Sequence, residues 1–217
     1  MPSRNIIKTY LEEGYYHLYN RGVEKRIIFQ EDKDYKVFLY YLKRYLTKAP
    51  ENTNEIKPRF KNDLYNKIQL ISYCLMPNHF HLLVKQVGQR TIVDFMRVLT
   101  NCYTGYFNQK YERVGALFQG TYKGVLVDNE SYLLHLSRYI HLNPLGINNN
   151  SLDYPYSSYG DYLCQRNTSW VHPEEILAYF KEIQKTFLKN FLSYKSFLED
   201  YKENPGLLLG SLAIDTE

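Results

Sequence analysis

His79 and His81 stand one residue apart in the run Tyr73-Cys-Leu-Met-Pro-Asn-His-Phe-His-Leu-Leu-Val84, and they are the residues best suited to chemistry. The run alternates as a strand does, so Phe80 and Leu82 fall on one face and both imidazoles on the other. Neutral imidazole nitrogens are common metal ligands, and two on one strand face make part of a site. A half-exposed sheet would also carry such a pair. What separates the two readings is a second constellation, Tyr132-Leu-Leu-His-Leu-Ser-Arg-Tyr-Ile-His-Leu-Asn-Pro144. On a helix, residues four apart are neighbours, so His135, Tyr139 and Asn143 share a face while Leu133, Leu136 and Ile140 pack down.

If that face lies against the strand, the Asn143 side-chain oxygen completes a set of two imidazoles and one amide, with Tyr139 beside the metal. His135 then supports the ligands from behind or packs. Nitrogen and oxygen donors without thiolate admit Mg²⁺ or Mn²⁺ bound partly through phosphate oxygens and water, and Zn²⁺ fits by ligand type as well. A tyrosine beside such a metal can attack phosphorus and form a covalent phosphotyrosine. Taken singly, Tyr139 reads as a helix residue covering a sheet and Asn143 as the end of a helix before proline. Only the joint pattern points to chemistry.

The elements that must position these residues follow from periodicity. Strands are expected at Tyr15–Asn20, about Ile68–Met76, His79–Val87 and Tyr122–Val127. Helices are expected from Asp32 or Asp34, as cap, to about Leu46, over Asp94–Gln109, and from Asn129 or Glu130 to Asn143, where Pro144 stops the last one. Residues 49–63 and 155–169 read as loop or irregular chain, and Pro173 to about Leu198 carries helical spacing. The order β-α-β-β-α-β plus a helix is the split βαβ of a ferredoxin-like α+β fold: a four-stranded antiparallel sheet with helices on one face and a C-terminal helical extension.

A chain of 217 residues with 44% hydrophobic and 23% charged content is that of an ordinary soluble globular protein. The net charge of +4 hides a division. Residues 1–127 hold 20 Lys and Arg against 11 Asp and Glu, whereas residues 128–217 hold 7 against 12. The basic first part suits a polyanionic partner. The 23 tyrosines suit a surface that stacks and hydrogen-bonds, and equally an AT-rich coding sequence. Cys74, Cys102 and Cys164 lack the count and spacing of a disulfide framework or thiolate metal site, which fits a reducing cytoplasm. The first residues lack an apolar signal stretch, and no apolar run reaches membrane-spanning length.

Pro77-Asn-His79-Phe-His81-Leu-Leu-Val84 resembles the His-hydrophobe-His motif of HUH endonucleases, and Arg138-Tyr139-Ile-His-Leu-Asn143-Pro144 resembles the catalytic helix of their single-tyrosine transposase branch. Within that branch the chain is similar to REP-associated tyrosine transposases. Tyr16-His-Leu-Tyr-Asn-Arg-Gly22, Gly115-Ala-Leu-Phe-Gln-Gly-Thr-Tyr-Lys123 and Tyr154-Pro-Tyr-Ser-Ser-Tyr159 carry the likeness further, so that it spans about residues 10–162.

The resemblance implies a catalytic domain over 1–162 and an accessory helical extension over 163–217. The domain would cleave single-stranded DNA near a hairpin, leaving a 5′-phosphotyrosine and a free 3′ hydroxyl that permits rejoining. Tyr139 matches the nucleophile, and His79 and His81 match the ligands of a Mg²⁺ or Mn²⁺ ion. Asn143 stands where the insertion-sequence enzymes usually have glutamine and the REP-associated group commonly has asparagine. Asparagine reaches about one methylene less far, which leaves open how tightly the metal is held. Monomeric action in cis and a homodimer with shared sites both occur among the relatives.

Arg21, Lys25, Arg26, Arg113 and Lys123 are candidate phosphate contacts, and Tyr19, Tyr122 and Phe118 could stack on bases or belong to the core. A hairpin DNA- or RNA-binding module of the same fold with reduced catalysis is the alternative. A phosphohydrolase using metal-activated water is a third reading.

Overall fold

The computed structural model describes residues 10–48, 64–147, 152–181 and 193–200. Four strands form its sheet: β1 (Tyr15–Arg21), β2 (Ile68–Met76), β3 (His79–Gln86) and β4 (Lys123–Val127). Their spatial order is β2-β3-β1-β4, and every neighbouring pair is antiparallel. Two long helices complete the split motif, α1 (Asp32–Leu46) and α2 (Thr91–Lys110). Both lie on one face, where Phe38, Leu42, Phe95, Leu99 and Tyr103 pack with Leu18, Tyr73, Phe80 and Leu82. The expected α+β fold with a four-stranded antiparallel sheet is the one observed.

The opposite face also buries apolar side chains, among them Cys74, Met76, Leu83 and Val127, so the sheet needs a layer on each side. The helix that follows β4 supplies it. In α3 (Glu130–Leu142), Leu133, Leu136, Tyr139 and Ile140 pack with Cys74, Leu83 and Val127. Asn129 caps α3 by accepting the Tyr132 backbone N–H at 2.7 Å. Pro144 follows within a 3₁₀ turn, Asn143–Gly146, rather than ending helical structure outright. A register shift between Leu70 and Ser72 lets β2 keep Tyr73 and Leu75 toward α1 and α2 while Cys74 and Met76 join the α3 side.

The cap of α1 differs from expectation. Glu31 is the N-cap, and Asp34 turns inward instead, fully buried. Its carboxylate accepts from the Gln30 and Glu31 backbone N–H groups and from Tyr106, Tyr111 and Lys110. These long-range partners, all on or just after α2, outweigh a solvent-exposed cap. Helix α2 begins at Thr91, three residues before the expected start, with Arg90 in the left-handed region.

Residues after 158 build a short helix α4 (Tyr159–Tyr162), then α5 (Glu174–Lys181) and α6 (Tyr194–Glu199). The expected loop over 49–63, the middle of the helical stretch (182–192) and the tail from Asn204 lie outside the described residues. Trp170 stacks on Tyr73 at 5.9 Å, and Val171 pairs with Leu70 at the sheet edge. From α6, the Tyr194 hydroxyl meets His141 at 2.7 Å and Ser137 at 3.2 Å, and Phe197 lies 3.5 Å from the Arg138 guanidinium carbon.

His141 is buried between Tyr194 and Ser158, and burial, then the charge of Arg166, pushes its pKa down to about 3. A histidine held neutral in the folded state gains its proton on unfolding once the pH is below the ordinary value of about 6.5. Its contribution is therefore complete above that value and is lost toward pH 3. Chemical denaturation across this window should show stability falling by up to about 1.4 kcal/mol per pH unit through this residue. His141→Asn should flatten the slope.

Candidate active site

The face of the sheet that meets α3 carries the functional residues. Along β3 this face shows His79, His81 and Leu83. Pairing with β1 sets Arg21 opposite His79, Tyr19 opposite His81 and His17 opposite Leu83, and pairing with β4 adds Lys123 beside Tyr19. Helix α3 presents Tyr139 to the same place. The Tyr139 ring lies edge-on to His81 at 5.3 Å and to His17 at 6.2 Å, and the His79 and His81 rings are 4.9 Å apart. Two histidines separated by the single residue Phe80 thus share a cleft with a tyrosine some sixty residues on.

Each histidine of the pair is held through Nδ1. His79 Nδ1 lies 2.7 Å from the Asn78 side-chain oxygen, while the Asn78 amide donates to the Lys25 carbonyl at 3.3 Å. An amide oxygen only accepts, so His79 donates from Nδ1 and its Nε2 is left without a proton in the neutral ring. His81 Nδ1 lies 2.9 Å from His17 Nε2, and both rings are fully buried. Burial holds the pKa of His17 down at about 3. Burial first, then the neighbouring His79 and His17, holds His81 well below its ordinary value. Both therefore stay neutral, the form that ligates metals.

This donor set fits a divalent cation. His81 Nε2 is buried without a hydrogen-bond partner, which is costly for a polar atom unless something else engages it. Among the described residues no group of three or more His, Cys, Asp and Glu has metal-holding geometry, so further ligands would be an amide, substrate oxygens and water.

Asn143 sits one turn beyond Tyr139, half-buried, with its amide donating to the Tyr139 carbonyl at 3.0 Å. His135 packs against Phe197 of α6, with ring centres 5.7 Å apart, and burial followed by the charge of Arg138 lowers its pKa.

The cationic residues divide between two places. Arg21 and Lys123 stand on the histidine face, and the Arg21 Nε is buried without a hydrogen-bond partner. Arg26 and Arg113 line a groove of about 960 Å³ with Phe29, Tyr35, Phe107, Pro77 and Tyr156. The groove begins at the turn that carries His79. The loop after β1 is clamped to that turn by Gly22 N–H to Asn78 carbonyl at 2.8 Å and Ile28 N–H to Pro77 carbonyl at 2.8 Å. Gly22 is required there, because a Cβ would lie 2.3 Å from the Arg26 carbonyl oxygen. Lys25 is exposed on the same loop.

Tyr19 lies within the cleft, 4.8 Å from the His17 ring. Phe118 and Tyr122 are core residues, Phe118 against Phe80 and Tyr122 hydrogen-bonded to Tyr10. Sequence reasoning assigned no role to His17 or Asn78. The alternation His17, Tyr19, Arg21 was visible, but its meaning required knowing that β1 pairs with β3.

Among the described residues no helix is long and apolar enough to cross a membrane. No curated protein matches the chain. A solved REP-associated tyrosine transposase bound to a REP hairpin shares its fold, with 11% identity and a TM-score of 0.53, over 78% of this chain and 98% of that one. A structure described as a candidate transposase from Deinococcus radiodurans R1 matches at 16% identity and a TM-score of 0.37, over 69% of this chain and 98% of that one. The family described as "Transposase IS200 like" matches residues 10–143. With the match spanning β1 through α3 and the whole of the cleft, the chain belongs to the IS200-like transposase family.

Proposed function

We propose that this protein nicks and rejoins single-stranded DNA beside a hairpin, in the manner of a REP-associated single-tyrosine transposase. The observation that carries the reading is the meeting of Tyr139 with the histidine pair of β3 in one cleft. His79, His81 and the Asn143 side-chain oxygen would hold Mg²⁺ or Mn²⁺. Such an ion, when bound, polarises the scissile phosphate and offsets its developing charge. The chain's own residues do the rest. The Tyr139 oxygen attacks phosphorus and gives up its proton, the bond to the 3′ oxygen breaks, and that oxygen leaves as a hydroxyl once protonated. The downstream part of the strand remains on Tyr139 through its 5′ phosphate as a phosphodiester. Attack by a 3′ hydroxyl on that ester reverses the step and rejoins DNA.

Tyr139 is only 1% exposed, so an entering strand must part the residues that cover it. Arg21 and Lys123, on the histidine face of the sheet, would neutralise phosphates beside the nucleophile. The groove of Arg26, Arg113, Tyr35 and Tyr156 would offer the strand cations and rings together, with the carboxylates of Glu31 and Asp32 on its lining as well. A hairpin partner is supported by the hairpin bound to the REP-associated structure of like fold.

Incubating a labelled strand carrying a REP-type hairpin with protein and Mn²⁺ should give cleavage that chelation abolishes. An equal-length strand without secondary structure should compete poorly. Tight hairpin binding without cleavage in either metal would favour the binding-module reading.

The cationic assignments have their own check. Arg26→Ala and Arg113→Ala should each weaken strand binding regardless of sequence. Each should also reduce the slope of log K against log salt by about 0.7, the share of one phosphate contact on a single strand. Titrations at several KCl concentrations measure this, and unchanged slopes would place the strand elsewhere.

A further inference from the structure

We infer that His17 is a positioning residue that fixes the proton of His81 and so keeps the His81 Nε2 lone pair directed at the metal; this rests on the reading of His81 as a ligand. The two rings form an isolated pair, joined by the 2.9 Å contact between His17 Nε2 and His81 Nδ1. Their outer nitrogens, His17 Nδ1 and His81 Nε2, are both buried without hydrogen-bond partners. A neutral pair has two protons for these four nitrogens. One of them occupies the shared contact.

Two arrangements are then possible. In the first, His17 carries a proton on Nδ1 and accepts at Nε2 from His81 Nδ1–H, leaving His81 Nε2 bare. In the second, His17 Nε2–H donates to His81 Nδ1, and the remaining proton sits on His81 Nε2 and blocks it. Only the first can ligate a cation. His79 has no such ambiguity, because the Asn78 oxygen accepts and cannot donate. Nearly parallel rings, 19° apart, and the contact of His17 with the Tyr139 edge also set the orientation of the ligand relative to the nucleophile. Partners behind a ligating histidine commonly contribute about 10–100-fold to metal affinity.

The test uses full-length protein with ¹⁵N-labelled histidine, reading the His81 ring nitrogens by NMR with Mg²⁺ and Mn²⁺ affinity by titration calorimetry. Wild-type protein with metal should show His81 protonated on Nδ1 alone. His17→Phe, which keeps a ring but no acceptor, should weaken Mn²⁺ binding by about 10–100-fold and give His81 a mixture of tautomers. His17→Gln, which offers an amide oxygen, should recover most of the affinity. A folded His17→Phe protein with wild-type Mn²⁺ affinity and one His81 tautomer would overturn the inference while leaving the metal site standing. If the variants do not fold, the wild-type spectrum decides, and a proton on His81 Nε2 in metal-loaded protein overturns it. Wild-type protein that binds no Mn²⁺ through His79 and His81 overturns the functional reading, and this inference with it.

Discussion

Tyr139→Phe is expected to abolish the covalent step and lower the rate of strand cleavage by roughly 10⁴-fold or more, the scale on which removal of a nucleophile acts in covalent catalysis. Phenylalanine keeps the ring that packs edge-on to His81 and His17 and removes only the hydroxyl oxygen. Folding and the affinity for a hairpin strand should therefore change little, by less than about threefold in Kd. Single-turnover cleavage and binding titrations on the same preparation separate the two quantities. A variant that retained most cleavage would show that water, not the tyrosine, attacks, and the phosphohydrolase reading would replace the one proposed.

Asp34→Ala is expected to cause a large loss of stability, because it removes a buried carboxylate that ties α1 to α2. The carboxylate is fully buried, and its partners are the Lys110 ammonium at 2.5 Å, the Tyr106 and Tyr111 hydroxyls at 2.9 and 2.7 Å, and the N–H groups at the start of α1. Lys110 would keep Glu31 at 2.6 Å, so the loss of about 3 kcal/mol comes from the tyrosine hydroxyls and backbone N–H groups left without their acceptor. Equilibrium denaturation would measure it. Burial alone would raise the Asp34 pKa, but the hydrogen bonds from Lys110, Tyr111, Gln30 and Tyr106 more than offset this, and it is lowered on balance. Its contribution is thus complete above the ordinary carboxylate range and is lost as the pH falls through the lowered folded value. Asp34→Ala should accordingly be less sensitive to acid below pH 4 than wild type.

How much of this the sequence disclosed depends on the range of the interaction. His79 and His81 lie on the strand face that alternation assigned them, and Leu133, Leu136 and Ile140 are buried as helical spacing expects, although α3 also buries Leu134 and residues 137–142, Tyr139 included. Those are local periodicities. Asp34 was legible as a helix-start residue, yet its inward turn depends on Lys110 far along the chain. His17 matters because β1 lies between β3 and β4, a sheet order that no stretch of eight residues encodes. His135 shares a helix face with Tyr139 by spacing, but α6 supplies Phe197 as its neighbour, and that contact was not legible from the α3 stretch alone. Asn143 caps α3 and opens the 3₁₀ turn, with its amide on the Tyr139 carbonyl, so where its oxygen points is a matter of the helix end and not of residue type alone.

The most direct test of the account is to trap the intermediate and find its attachment. Wild-type protein would be incubated in Mn²⁺ with a hairpin strand whose upstream fragment, which carries the new 3′ hydroxyl, is too short to stay bound once cut free. The adduct would then be isolated under denaturing conditions, digested and sequenced by mass spectrometry. The account predicts a nucleotide joined through its 5′ phosphate to Tyr139, and absent when metal is chelated. A nucleotide on any other residue, or efficient cleavage with no adduct, would contradict it.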